Sequence, residues 1–177
     1  AAGGAGFLNL DFGITRQLRL LTHNYWSDGG GRYIFGQAPD LIVRPDGSPS
    51  LLHSGSSVDG FEFAHRNMAV GAYYGLVYVD RNVEIDTTGQ PIGWGYAGSP
   101  SGDNRTIQEG TFDFIQNFWK SPSYGALTLI SQYSFLTRSP WSVAVGNPAN
   151  AHANIVFVNL RYTLPGSAPT FGEPGKP

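Results

Sequence analysis

Cysteine is absent from this 177-residue chain, which removes disulfides and thiolate metal ligands from consideration. Charge is scarce as well: Asp, Glu, Lys and Arg make up 14% of the residues and leave a net charge of -2. The eleven basic residues are scattered, so there is no basic patch of the kind a nucleic-acid surface needs. Lysine is nearly missing, with only Lys120 and Lys176, and the remaining basic residues are arginines, which suit fixed sites on stiff structure. No run of about 18 apolar residues exists, which excludes a transmembrane helix. Ala1-Ala2-Gly3-Gly4-Ala5-Gly6 lacks the basic start and apolar stretch of a signal peptide, so the chain is expected to be cytosolic, already processed or a piece of something longer.

What the chain does have is 41% hydrophobic and 14% aromatic content, enough for one domain, together with 24 glycines and 12 prolines that make it rich in turns. Its dominant pattern has a period of two. In the last regular segment, Val156, Val158, Leu160, Tyr162 and Leu164 alternate with Phe157, Asn159, Arg161 and Thr163. Successive side chains of an extended strand point to opposite faces, so one face is apolar and the other carries a guanidinium and an amide. Leu8, Leu10, Phe12 and Ile14 alternate in the same way with Asn9, Asp11, Gly13 and Thr15. The pattern returns with Leu18 and Leu20 against Arg19 and His23, Phe61 and Phe63 against Glu62, and Phe112 and Phe114 against Asp113 and Asn117. It returns again with Leu127, Leu129, Tyr133 and Phe135 against Thr128, Gln132, Ser134 and Arg138. The stretch from Met68 to Val79 is apolar on both sides and leaves its facing open.

Between these strands the connections alternate short and long. Short breaks fall at Thr15-Arg16-Gln17, Arg66-Asn67 and Lys120-Ser121-Pro122-Ser123, and long turn-rich loops are expected over 27–58, 81–104 and 139–153. Leu41-Ile42-Val43 inside the first long loop suggests that it folds on itself. A transmembrane barrel has this arrangement, with tight turns at one rim and long loops at the other. Tyr25, Trp26, Trp119, Tyr124, Phe135 and Tyr162 sit near strand ends, where an interfacial aromatic girdle would need them.

The runs from Trp26 through Asp28-Gly29-Gly30-Gly31 to Tyr33-Ile34, together with Tyr73-Tyr74-Gly75, Trp119-Lys120, Gln132-Tyr133-Ser134 and Leu160-Arg161-Tyr162, resemble those of porin-like outer-membrane β-barrels of diderm bacteria. The resemblance is closest to a carbohydrate-porin-like group and covers nearly the whole chain up to Pro165. It implies an all-β fold, an antiparallel up-and-down transmembrane β-barrel, in the bacterial outer membrane. It also implies passive diffusion of small hydrophilic solutes, sugars among them, with the lipid bilayer as partner and no cofactor. Barrels of this kind commonly end on an aromatic residue, whereas this chain runs on past Leu164-Pro165 into a Pro- and Gly-rich tail over 166–177, expected to be mobile. With the C-terminus in the periplasm, counting back gives about seven strands, an odd number where single-chain bacterial barrels use an even one. The chain is therefore expected either to be the C-terminal portion of a larger barrel, with N-terminal strands of the same protein as its partner, or to hold one strand more than this count; a homo-oligomer such as a trimer is the other expected partner.

In that frame Asn9, Asp11, Arg19, His23, Glu62, Arg66, Asp113, Asn117, Gln132, Arg138, Asn159 and Arg161 would line the lumen, where opposed charges orient polar solutes. The alternative is a solvated sheet face or a satisfied barrel interior with no transport role. A soluble all-β carbohydrate-binding domain is the rival, with Trp94, Tyr96 and Trp141 stacking on sugar and the apolar face packed on a second sheet; a structural cell-surface barrel is another. Enzyme readings are weaker. Glu62, Glu109 and Asp113 have no spacing that fixes a glycosidase pair, and His152 with Asn154 lacks a Gly-x-Ser-x-Gly elbow. His23, His53, His65 and His152 show no metal-ligand spacing, and turn chemistry accounts for Asp46-Gly47 and Asp103-Asn104.

Overall fold

The computed structural model describes residues 1–34 and 38–166; past Gly166 the expected tail lies outside the described residues. Eleven strands follow one another: β1 (Gly4–Gly13), β2 (Leu18–Asp28), β3 (Leu41–Val43), β4 (Pro49–Leu51), β5 (His53–His65), β6 (Met68–Val79), β7 (Asn82–Ile85), β8 (Pro91–Trp94), β9 (Asn104–Ser121), β10 (Gly125–Pro140) and β11 (Ala151–Thr163). Seven of them form one sheet in chain order, β1-β2-β5-β6-β9-β10-β11, and every neighbouring pair is antiparallel. The other four make two small hairpins, β3–β4 and β7–β8, inside the first and second long loops.

The seven long strands are those the alternation predicts, although their bounds move. β2 runs on to Asp28 and β5 begins at His53, so the first long loop spans less than 27–58. β10 likewise continues to Pro140 and β11 starts at Ala151, which shortens the third. Polar residues such as Ser54, Ser56 and Ser57 had read as loop; across the ladder they pair with Ser27, Tyr25 and Asn24, so partners in β2 extend the strand where local propensity does not.

Local chemistry closes the short connections. The Thr15 hydroxyl accepts the N–H groups of Gln17 and Leu18 at 3.1 and 3.0 Å, which turns the chain between β1 and β2. The Ser121 hydroxyl accepts the N–H of Ser123 at 3.2 Å at the β9–β10 turn. Between β5 and β6 the turn is only Arg66-Asn67, with Arg66 at φ 54°.

The ladder places every strand residue on one of two faces. Leu10, Leu20, Phe61, Val70, Phe112, Leu129 and Val158 fall on the apolar face. Among the described residues no second sheet covers this face, and its large side chains stay exposed on inner strands as well as at the edge: Phe61 is 52% exposed, Phe112 51% and Leu160 64%. The sheet is also open, since β1 and β11 each have a single neighbour. β1 is exposed along its whole length and β11 everywhere but Asn159 and Thr163. The alternation predicts all-β antiparallel structure and the chain has it; ring closure is not present among the described residues.

The buried hydrophobic side chains among the described residues are Ile34, Ala38, Ile42, Leu52, Val79 and Ala126. Ala38, Ile42, Leu52 and Val79 form one cluster at the long-loop end, with Val77 and Trp94 against it. The two hairpins brace each other over it. Asn82 donates to Leu51 O at 2.7 Å and Arg44 pairs with Glu84 at 3.0 Å. The main buried cluster among the described residues therefore sits where the loops meet the end of β6, and not on a face of the sheet.

Candidate functional site

The polar face of the sheet carries the densest chemistry. Glu62, Gly71, Asp113 and Gln132 lie in one row across β5, β6, β9 and β10, and Arg19 stands opposite Glu62 on β2. Arg19 bonds both oxygens of Asp11, at 3.1 and 2.5 Å, and lies 3.4 Å from Glu62. One guanidinium thus ties β1 to β5 across β2, using the planar fork that suits a carboxylate. Gly71 leaves a gap in the row, and Tyr73 fills it. A Cβ at Gly71 would overlap both Asp113 Oδ1 and the Tyr73 ring, and that ring reaches back so that its hydroxyl donates to Glu62 at 2.8 Å. Asp113 Oδ1 is enclosed there against Gly71.

Further along, Thr111 and Ser134 share a hydrogen bond of 2.7 Å, Thr111 also donates to Glu109 at 3.0 Å, and Gln132 donates to Ser134 at 3.1 Å. Thr128 donates to Asn117 at 2.6 Å, and Asn9 lies 3.1 Å from His23. Asn159 and Arg161 follow on β11, opposite Ile130 and Thr128. The face is a belt of side-chain hydrogen bonds with carboxylates at Asp11, Glu62, Glu109 and Asp113 and with Arg161 near its far edge.

Of the residues expected on this face, Asn9, Asp11, Arg19, His23, Glu62, Asp113, Asn117, Gln132, Asn159 and Arg161 share it by register. Arg66 does not: it occupies the β5–β6 turn, where the strand has ended. Arg138 has the right parity but is drawn to the rim, where it donates to Asn104 Oδ1 and Ser101 O. Among the aromatics, Trp26 lies on the apolar face and stacks on Tyr78 at 6.3 Å, and Phe135 and Tyr162 share that face. Trp119 reaches it after the irregularity at Leu127/Thr128, and Tyr124 sits in the adjoining turn, where the Tyr162 hydroxyl donates to its carbonyl at 2.8 Å. Tyr25 is the exception. It pairs with Phe7 and Ser56 on the polar side, and its hydroxyl donates to Gly30 O at 3.1 Å, because an odd position cannot reach the face of Trp26.

Several members of the belt were passed over in the sequence. Thr111, Thr128 and Ser134 shared the parity of Asp113 and Gln132, a signal that was there to use. Tyr73 could not be separated from Tyr74 without the register. On the apolar face Thr22 donates to Asp59, directly across the ladder, and Asn24 donates to Thr22 at 2.7 Å, an island of polar groups that the alternation did not flag.

Two of the three loop aromatics are tied into the cap through their indole N–H groups. The Trp94 indole donates to Asn104 O at 3.4 Å and packs on the cap core, while the Trp141 indole donates to Val79 O at 3.0 Å. His152 lies against Phe135 at 5.9 Å, and Asn154 accepts from Tyr133 at 2.6 Å, so neither is joined to a nucleophile. Among the described residues no cluster of His, Asp and Glu could hold a metal ion. Asp46 caps its own turn through Ser48 at 2.9 Å and Asp103 accepts the Gly95 N–H at 3.0 Å. Comparison with protein-family models, curated proteins and solved structures returns no match.

Proposed function

We propose that this chain is part of a porin-like outer-membrane barrel through which small hydrophilic solutes, sugars among them, diffuse passively. The observation that carries this reading is the sheet's two-sided chemistry. One face is apolar and uncovered, with Val156, Val158 and Leu160 each more than half exposed, while the other is a hydrogen-bonded polar belt. A sandwich in water would have to bury that apolar face, because each large side chain left wet forgoes about 1.5–3 kcal/mol. Lipid removes the difficulty, and the belt then lines a wet lumen. Trp26 and Phe135 lie toward the loop rim and Trp119, Tyr124 and Tyr162 toward the turn rim, the two levels at which interfacial aromatics sit.

Closure follows the same logic. β1 and β11 are the first and last strands of an odd meander and run in the same direction, so an antiparallel ring needs an odd number of further strands between them. Those strands would pair the free edges and enclose the belt.

The test is solubility and conductance. The native protein is expected to need detergent, to migrate as a species larger than 19.1 kDa, and to give stepwise conductance in planar bilayers. A monodisperse monomer in plain buffer would overturn the reading.

A further inference from the structure

At the long-loop end, two guanidiniums converge on one indole. Arg81 lies 5.1 Å and Arg105 5.7 Å from the Trp141 ring, which is anchored through its N–H to Val79 O at 3.0 Å. The convergence has a structural cause at each member. Arg81 directly follows β6 and its neighbour Asp80, and Arg105 is the residue left without a partner where the β9–β10 register shifts at Ser139/Pro140. Such an irregularity re-aims the side chain it carries.

Neither arginine forms an ion pair among the described residues, although both are exposed. The carboxylates closest to them in sequence accept other hydrogen bonds. Asp80 accepts from the Tyr78 hydroxyl at 3.1 Å and from the Arg81 N–H at 2.7 Å, and Asp103 accepts from the Gly95 N–H at 3.0 Å. Arg81 also lines a recess of about 440 Å³, together with Val83, Pro91, Tyr96 and Ala97. That volume suits a small solute.

From this geometry we infer that Arg81 and Arg105, with Tyr96 and the Trp141 ring, form a capture site for a small solute bearing an oxyanion, a phosphate or a carboxylate. Two like charges held over one ring repel each other, and an oxyanion between them relieves the repulsion while accepting the forked N–H groups. The body of the solute then lies in the recess against Tyr96 and Pro91. The inference rests on the loop end facing water, as the proposed function requires. It adds a preference for acidic solutes that the carboxylate-rich sheet face would not produce.

Inorganic phosphate is the probe, titrated against the full chain in detergent micelles and followed by phosphorus NMR line width. Saturable broadening is expected, with gluconate competing and glucose not. Binding should weaken about tenfold or more in R81Q/R105Q, as expected when charge-assisted bonds to an oxyanion are lost. R16Q, in the turn at the opposite rim, should bind like the native protein. Unsaturable broadening, or full affinity in R81Q/R105Q, would overturn the site. A chain that conducts but does not bind phosphate refutes this site alone. A chain that is a monomer in buffer yet loses phosphate with the double substitution keeps the site and refutes the channel.

Discussion

The cap of loops and the body of the sheet are built on opposite rules. In the cap, Ile42, Leu52 and Val79 are buried and the hairpins are cross-braced by Asn82 and by Arg44–Glu84, as in a small water-soluble domain. In the body, Phe12, Val156 and Leu160 face outward uncovered, and what is internally satisfied is the polar side, through Arg19, Tyr73, Thr111 and Thr128. The same chain thus hides its apolar groups at one end and displays them along the other. The difference is what the proposed function explains by two solvents, water around the cap and lipid around the sheet, and it can be broken or sharpened by substitution.

The largest effect is expected in the cap. Leu52→Ala should remove about 2–5 kcal/mol of cap stability, as for other buried leucines. Hydrogen exchange should show β3 and β4 opening while the β9 and β10 amides stay protected; equal loss in both regions would contradict the division. Next comes Leu160→Arg on the apolar face. In lipid vesicles it should cost about 2–4 kcal/mol if the site lies near mid-bilayer, measured by urea unfolding. Val145→Arg, at a fully exposed position of the third loop, should be close to neutral in the same assay.

Gly71→Ala should cost about 1–3 kcal/mol, because the added methyl displaces Tyr73 from Glu62 and crowds Asp113. Replacing Thr22, Asn24 and Asp59 together by valine should be neutral to mildly stabilising in a membrane, since all three members of the hydrogen-bonded island leave together. A severe loss would mean that this island contacts another protein surface.

The smallest effect is one of pH. Hydrogen bonds from the Arg32 side chain and N–H hold the Asp40 carboxyl below the usual carboxylate range. Its folded pKa is thus below its unfolded one, so the contact's contribution is complete above about pH 4 and is lost as pH falls through the depressed value. Limited proteolysis should find the first long loop opening in acid while the sheet persists.

Much of the body was legible in the residues. An alternation as strict as that of β11 leaves only one pairing parity, so the polar members Asn159 and Arg161 could be named before any coordinates. Arg66 and Tyr25 were misplaced for two reasons: a two-residue turn removes a side chain from both faces, and an aromatic at a strand end carries no label of the face it uses. Arg105 was invisible because a register shift is a property of two strands and not of one.

By itself, then, the sequence determined the seven long strands, their order and, for all but β6, the chemistry of each face, because a period of two is a local property that backbone geometry enforces. Tertiary structure alone decided which of Tyr73 and Tyr74 joins the polar belt, where the core sits, and how Arg81, Arg105 and Trp141 come together. Those outcomes depend on register and on contacts between loops far apart in the chain, which no local pattern encodes.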